Sequence, residues 1–303
     1  MTIAEDHPLR ADVLSRAFLH ELDGAGMTYS AGGGDLDLGT GVRLEVDGAA
    51  RRVCRAAGRA GFVSAGSAPG SFVAYDLAAD TWVRVRFRHE TLARVPLIDT
   101  RLPRRGLGVA LLAPDGAGKS STAESLTQSL PLDARIVYLG LFRRANPSRG
   151  GPVYFGMARR LIKLWQGWLT ALAHQRLGRL VLFDRYPYDA LLPGGRGLAE
   201  RVWRWVLGHA LPPPDLTIVL DAPGTVLHAR SGEHDSVMLE RQRQGYLALA
   251  RQLPRTVVVD ASGDRAATQR AVTRAIWESY RARHAMEQVV RPDPPAQFKS
   301  RPA

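Results

Sequence analysis

From about residue 107 onward, apolar residues alternate between two patterns. Short, unbroken apolar runs cover 109–112, 136–139, 180–183, 216–220 and 256–259. Runs this short, set between turn signals, predict strands buried on both faces. Between them, apolar residues recur every three or four positions. That spacing predicts helices over about 119–130, 153–175, 198–210, 223–230, 236–252 and 265–283. Strand and helix in alternation predict an α/β fold, a five-stranded parallel sheet with helices on both faces. In the long helix the residues Met157, Leu161, Trp165, Trp168 and Leu172 lie near one stripe, expected to pack on the core, and Trp203 and Trp205 are expected to pack as well.

The first hundred residues read differently. A helix is predicted over 11–24, with Val13, Leu14, Ala17, Phe18 and Leu22 on one side. A glycine-dense stretch, 32–39, follows. Alternation over 42–46 predicts a strand, 49–60 a helix, and 71–77 and 81–88 two further strands. The segment 96–105 carries two prolines and a basic cluster and reads as a linker. The expected division is a small α+β domain over 1–101, an α/β domain over 102–288, and a disordered tail over 289–303 that holds four prolines.

Composition narrows the picture modestly. A chain of 303 residues with 45% hydrophobic and 23% charged residues suits a folded globular protein. No apolar run approaches a membrane span, and the polar start with Glu5 and Asp6 does not read as a signal peptide. The single cysteine, Cys54, rules out an intrachain disulfide framework and fits a reducing, cytoplasmic setting. The net charge of +12 favours anionic partners, but the arginines are spread along the chain. No helix-turn-helix, zinc-finger or RNP signature accompanies them, which argues against nucleic acid as the partner.

The chemistry gathers where the first core run ends. Pro114-Asp115-Gly116-Ala117-Gly118-Lys119-Ser120-Ser121 follows the strand and opens a helix. Small residues let backbone N–H groups close around phosphate oxygens, and the helix N-terminus adds partial positive charge. Lys119 can reach β- and γ-phosphates, and the Ser120 hydroxyl can bind Mg²⁺. Against G-x-x-x-x-G-K-[ST], the first glycine position holds Ala113, so the loop entrance should be regular there or slightly changed.

Two further clusters belong with it. Asp184-Arg185 sits at the carboxyl end of a predicted strand, where open α/β sheets place ligands. Asp184 can hold Mg²⁺ or accept a proton, and Arg185 can fork onto phosphate. The second cluster is the polar stretch 231–235, with Arg230, Glu233, Arg241 and Arg243 in and around it, which has the composition of a lid. Arg230 is the expected arginine over the transferring group.

These pieces, with 183–186, 214–223 and 259–262 in the same order and spacing, resemble the thymidylate kinase family of P-loop kinases over about 107–283. The resemblance implies a P-loop NTPase, nucleoside monophosphate kinase-like fold. It implies that Lys119 and Ser120 hold ATP and Mg²⁺, that Asp115, Asp184 and Arg185 face the acceptor, and that Arg230 closes over the phosphates. Two departures stand out. Where the family has Arg-Glu-Pro, this chain has Leu141-Phe142-Arg143-Arg144-Ala145-Asn146-Pro147. Where the family carries Ala-Tyr-Gln to read thymine, it has Asp189-Ala190-Leu191-Leu192-Pro193. The first hundred residues weakly resemble a nucleotidyltransferase-like module. Arg43 and Glu45 stand where its paired acids belong, and Asp35 and Asp37 lie in the glycine loop, so the module is expected to be inactive.

The expectation is an ATP- and Mg²⁺-dependent kinase acting on a small molecule, either a nucleoside monophosphate or a hydroxyl of a sugar or natural product. A homodimer stays open. So do two other readings, an ATP-binding regulator with little turnover and a basic nucleic-acid-binding protein.

Overall fold

The computed structural model describes residues 13–24, 28–31, 41–47, 56–64, 71–77, 80–87, 106–139, 153–193, 197–232 and 234–290. Strands β6 (Gly108–Leu112), β7 (Ala134–Tyr138), β8 (Leu180–Asp184), β9 (Leu216–Asp221) and β10 (Thr256–Asp260) form one parallel sheet in the order β10-β9-β6-β8-β7. The strand that leads into the phosphate loop is therefore central, and all five residues of β6 are buried.

Alternate residues of the inner strands enter opposite cores, as the two-residue period of a strand requires. Val109, Leu111, Leu182, Ile218 and Leu220 face one side. There they meet Ala123 and Leu126 of α2 (Lys119–Ser129), Leu227 of α5 (Gly224–Ser231) and Ile276 and Trp277 of α7 (Arg265–Val290). Ala110, Leu112, Val181, Phe183 and Val219 face the other side. Their partners there are Leu164 and Ala171 of α3 (Val153–Arg176), Leu207 of α4 (Leu198–Gly208) and Tyr246 and Leu249 of α6 (Ser236–Ala250). The fold is the expected α/β layer arrangement, with both faces covered.

Several expectations shift in detail. The face of α3 that packs is Leu161, Leu164, Trp168 and Ala171, while Trp165 lies 43% exposed, so the packing stripe is rotated from the expected one. Spacings of three, four and three residues keep that row on one side, whereas Trp165 falls beyond its edge. Trp203 packs against the core, but Trp205 is exposed and its ring lies on His209. β7 and β10 are the sheet's edges, so Ile136, Tyr138, Val257 and Val258 remain exposed although they read as core. The last helix continues to Val290 rather than stopping near 283. Nothing in its sequence breaks it before Pro292, and the residue preceding a proline resists helical backbone. Positions 289 and 290, expected in the tail, are thus helical. Residues 291–303, the linker at 96–105, the glycine stretch with Asp35 and Asp37, Cys54 and the segment 141–147 lie outside the described residues.

The N-terminal part holds α1 (Val13–Gly24) and a mixed sheet of β1 (Thr28–Ala31), β2 (Gly41–Asp47), β3 (Val63–Ser64), β4 (Ser71–Asp76) and β5 (Thr81–Phe87), ordered β1-β2-β5-β4-β3. β1 and β3 carry too few residues to show a period and were not legible. The β4–β5 hairpin leans on α7. Trp82 meets the fully buried Trp277 edge to face at 5.2 Å, and Tyr75 meets Trp82 at 5.0 Å. Asp80, in left-handed backbone at φ 54°, accepts from the Tyr75 hydroxyl at 2.8 Å and from Arg274 at 3.2 Å. Trp277→Ala would leave a large void in the core that both sheets share. The expected cost is about 3–5 kcal/mol of unfolding free energy, read from urea titration. A cost below about 1 kcal/mol would show that the two sheets do not share a core there.

Candidate active site

The phosphate loop is built by two left-handed glycines. Gly116 has φ 87° and Gly118 φ 83°, values that side-chain-bearing residues resist. A Cβ on Gly116 would also lie 2.7 Å from the Leu227 carbonyl oxygen, so α5 presses directly on the loop. Ala113, by contrast, is not among the positive-φ residues, as its Cβ demands, and it is buried. The loop ends at Gly118, the N-cap of α2, so the helix dipole points at the space above the loop.

Lys119 is buried and folded back over this loop. Its Nζ donates to the carbonyls of Ala113 at 2.5 Å and Pro114 at 2.9 Å, and lies 3.7 Å from Asp115. Burial pulls its pKa below the ordinary lysine value, opposed by Asp115, Asp189 and Asp184. A polyphosphate in the loop would add further negative charge beside this cation and favour its charged form.

Across from it stands the end of β8. The Ser120 hydroxyl is 3.3 Å from Asp184 Oδ2. Two hard oxygen donors side by side, at the mouth of a phosphate loop, suit Mg²⁺. Among the described residues no group of three or more His, Cys, Asp or Glu gathers to hold a metal, so a cation here would complete its shell with phosphate and water.

Arg185 follows in left-handed backbone at φ 66°. A non-glycine residue held there costs on the order of 1–3 kcal/mol, which the surroundings must hold in place. The conformation turns the guanidinium to the loop, where it donates to Asp115 at 3.3 Å. Burial opposes its charge, but Asp115 and Asp189 outweigh that, and its pKa is raised.

Asp115, Gly116, Gly118, Lys119 and Ser120 line a cleft of about 420 Å³, together with Arg185 and Arg230. Arg230 thus borders the site, but its guanidinium is held by the carbonyls of Ala261, Ser262 and Gly263 at 2.6, 3.1 and 3.0 Å. To meet a phosphoryl group it would have to release them. Arg243 forks onto Asp221 at 2.6 and 2.9 Å and pairs with Glu240 at 2.8 Å, pinning α6 to the end of β9. It is a clamp within the fold. Glu233 of the presumed lid stretch lies outside the described residues.

One pair escaped sequence reasoning. Tyr246 of α6 donates its hydroxyl to Asp189 Oδ1 at 3.0 Å. Asp189 sits in the short 3₁₀ helix Pro187–Leu191, just past Arg185. The residues are far apart in sequence, and only the packing of α6 on the sheet brings them together. The sequence offered Asp189 as an acid in the segment 189–193, but nothing local to Tyr246 pointed to it.

No family model matches this chain. The thymidylate kinase of Methylococcus capsulatus is 39% identical over a stretch covering 32% of this chain and 53% of that kinase. The match therefore spans about half the length of that relative. A solved thymidylate kinase from Candida albicans, described for its broad substrate specificity, aligns with 59% of this chain and 94% of its own at 19% identity and TM-score 0.45. The loop glycines, Lys119, Ser120 and Arg185 border one cleft at the strand ends, with Asp184 beside Ser120, and over part of its length the chain is similar to a thymidylate kinase.

Proposed function

We propose that this protein transfers the γ-phosphoryl group of ATP to a small-molecule acceptor, with Mg²⁺. The observation that carries this reading is the convergence of Lys119, Ser120, Asp184 and Arg185 at the carboxyl ends of β6 and β8. In this reading the loop amides and Lys119 hold the β- and γ-phosphates, and Ser120 and Asp184 hold the metal, which would neutralise phosphate charge. Arg185 and Asp115 face the incoming acceptor. Arg230 walls the nucleotide side and is the candidate to close over the phosphates.

ADP release with and without a panel of acceptors tests the proposal. Acceptor-dependent release supports it. Tight ATP binding with no release under any acceptor would favour the regulatory reading. A salt-sensitive shift of nucleic acid without ATP turnover would favour the nucleic-acid reading.

Thymidine 5′-monophosphate should be a poor acceptor. The positions expected to read its base hold Asp189, Ala190, Leu191, Leu192 and Pro193. A site that lacks the partner for a substrate's polar groups leaves them unpaired. Its turnover is expected to be at least about a hundredfold below that of the best acceptor found. Comparable turnover of the two in the same coupled assay would contradict the departure drawn from these residues.

A further inference from the structure

We propose that Gln269 of α7 is a positioning residue for the nucleotide: it fixes α2 and, with α2, the phosphate loop and the Ser120 hydroxyl. The inference rests on the phosphoryl-transfer reading and adds to it a residue outside the cleft.

The sequence of α2 sets up the contact. Ser121, Ser125 and Ser129 follow one another at intervals of four, so they share one side of the helix. That side meets α7. Ser125 donates its hydroxyl to Gln269 Oε1 at 2.7 Å, and Gln269 Nε2 donates to the Ser129 hydroxyl oxygen at 2.7 Å. One turn earlier, Arg265 donates to the Ser121 carbonyl at 3.0 Å. Three bonds thus run along α2 from its first turn to its last residue, and the Gln269 amide makes two of them.

Of the two helices, α7 is the anchored one. Trp277 is fully buried against Trp82, Arg274 donates to the Leu77 carbonyl at 2.9 Å, and Arg283 pairs with Asp215 at 3.0 Å. α2 has 11 residues, and its N-cap Gly118 offers no side-chain bond. A helix that short takes its order from what it packs against.

That order matters most at the start of α2. Its first amides face the phosphates in the phosphoryl-transfer reading. The Ser120 hydroxyl, next to Ser121, stands 3.3 Å from Asp184 Oδ2 at the end of β8. The oxygen pair that suits Mg²⁺ therefore depends on where α2 sits relative to that strand. Ser120 and Ser121 both border the cleft, whereas Gln269 does not, so Gln269 acts through α2. Partners that orient a metal ligand cost about 10–100-fold in affinity or activity when removed, and a hold exerted through the helix belongs at the low end.

The test titrates adenosine 5′-(β,γ-imido)triphosphate calorimetrically, with Mg²⁺ present, into the full chain, and follows thermal unfolding of the same preparations. Gln269→Ala should bind the analogue about tenfold more weakly than the wild type. Its melting temperature should fall by only a few degrees, the effect of losing two hydrogen bonds. Ser125→Ala combined with Ser129→Ala removes the same two bonds from the other side and should show the same loss of affinity. Alanine is the better helix former, so that variant keeps α2 and decides the matter even if Gln269→Ala does not fold. Gln269→Glu can accept from both serine hydroxyls and should stay within about threefold of the wild type. Analogue affinity within about threefold of the wild type in the folded Gln269→Ala or in the double serine variant overturns the proposal, because the bonds would then serve stability alone. A loss in Gln269→Glu equal to that in Gln269→Ala overturns it too. Failure of the wild type to bind the analogue would sink the phosphoryl-transfer reading, and this proposal with it.

Discussion

Lys119→Ala should lower phosphoryl transfer by about a thousandfold and leave the fold in place. The side chain spends its hydrogen bonds on two loop carbonyls, Ala113 and Pro114, rather than on the core. Both carbonyls belong to buried residues and lose a donor when the ammonium is gone. The expected loss of stability is about 1–3 kcal/mol, the cost of leaving a buried polar group unsatisfied. The kinetic loss is expected to be larger, because in the proposed reaction the cation stands where charge concentrates on the phosphoryl oxygens. Removing one such preorganised donor costs on the order of 10²–10³ in kcat. Steady-state ADP release and thermal unfolding, measured on the same preparation, separate the two effects. Turnover within about tenfold of the wild type would place Lys119 outside the chemistry.

The second large effect is expected at Asp184. It stands 3.3 Å from the Ser120 hydroxyl, and the two make the oxygen pair that suits Mg²⁺. Asp184→Asn keeps the shape of the site but removes the charge. A bound cation contributes several kcal/mol of transition-state stabilisation, so kcat should fall by about a hundredfold or more. The Mg²⁺ concentration needed for half-maximal turnover should rise as well. The measurement is a Mg²⁺ titration of turnover for wild type and variant at saturating ATP. Superimposable curves would show that the cation is held elsewhere.

The sheet and the loop could be read along the chain because their signals are local. Five short apolar runs, a Gly-x-Gly-Lys-Ser turn and an acid at a strand end each sit within a few neighbouring residues. The strands came out within a residue or two of their expected bounds. What could not be read depends on contacts between distant segments. Val257, Val258 and Ile136 look like core, but only strand order shows that β7 and β10 are edges. The α3 stripe was misjudged because Trp165 and Leu164 are both apolar and periodicity alone does not choose between them. Arg230 is the instructive case at the site. Its sequence position beside a polar stretch suggested a lid, yet its guanidinium is held by three carbonyls of the segment 261–263. The Asp189–Tyr246 bond joins residues 57 positions apart and was invisible for the same reason. The docking of Trp82 on Trp277 spans nearly two hundred residues and no local pattern announces it.

The central claim is phosphoryl transfer from ATP in the cleft above the loop. Its most direct test follows the label of [γ-³²P]ATP incubated with the full chain, Mg²⁺ and the acceptor panel, beside Lys119→Ala. The account predicts that label leaves ATP and appears on an acceptor with the wild type, and stays on ATP with Lys119→Ala. Label that remains on ATP with both proteins, or that moves equally well with both, would contradict it.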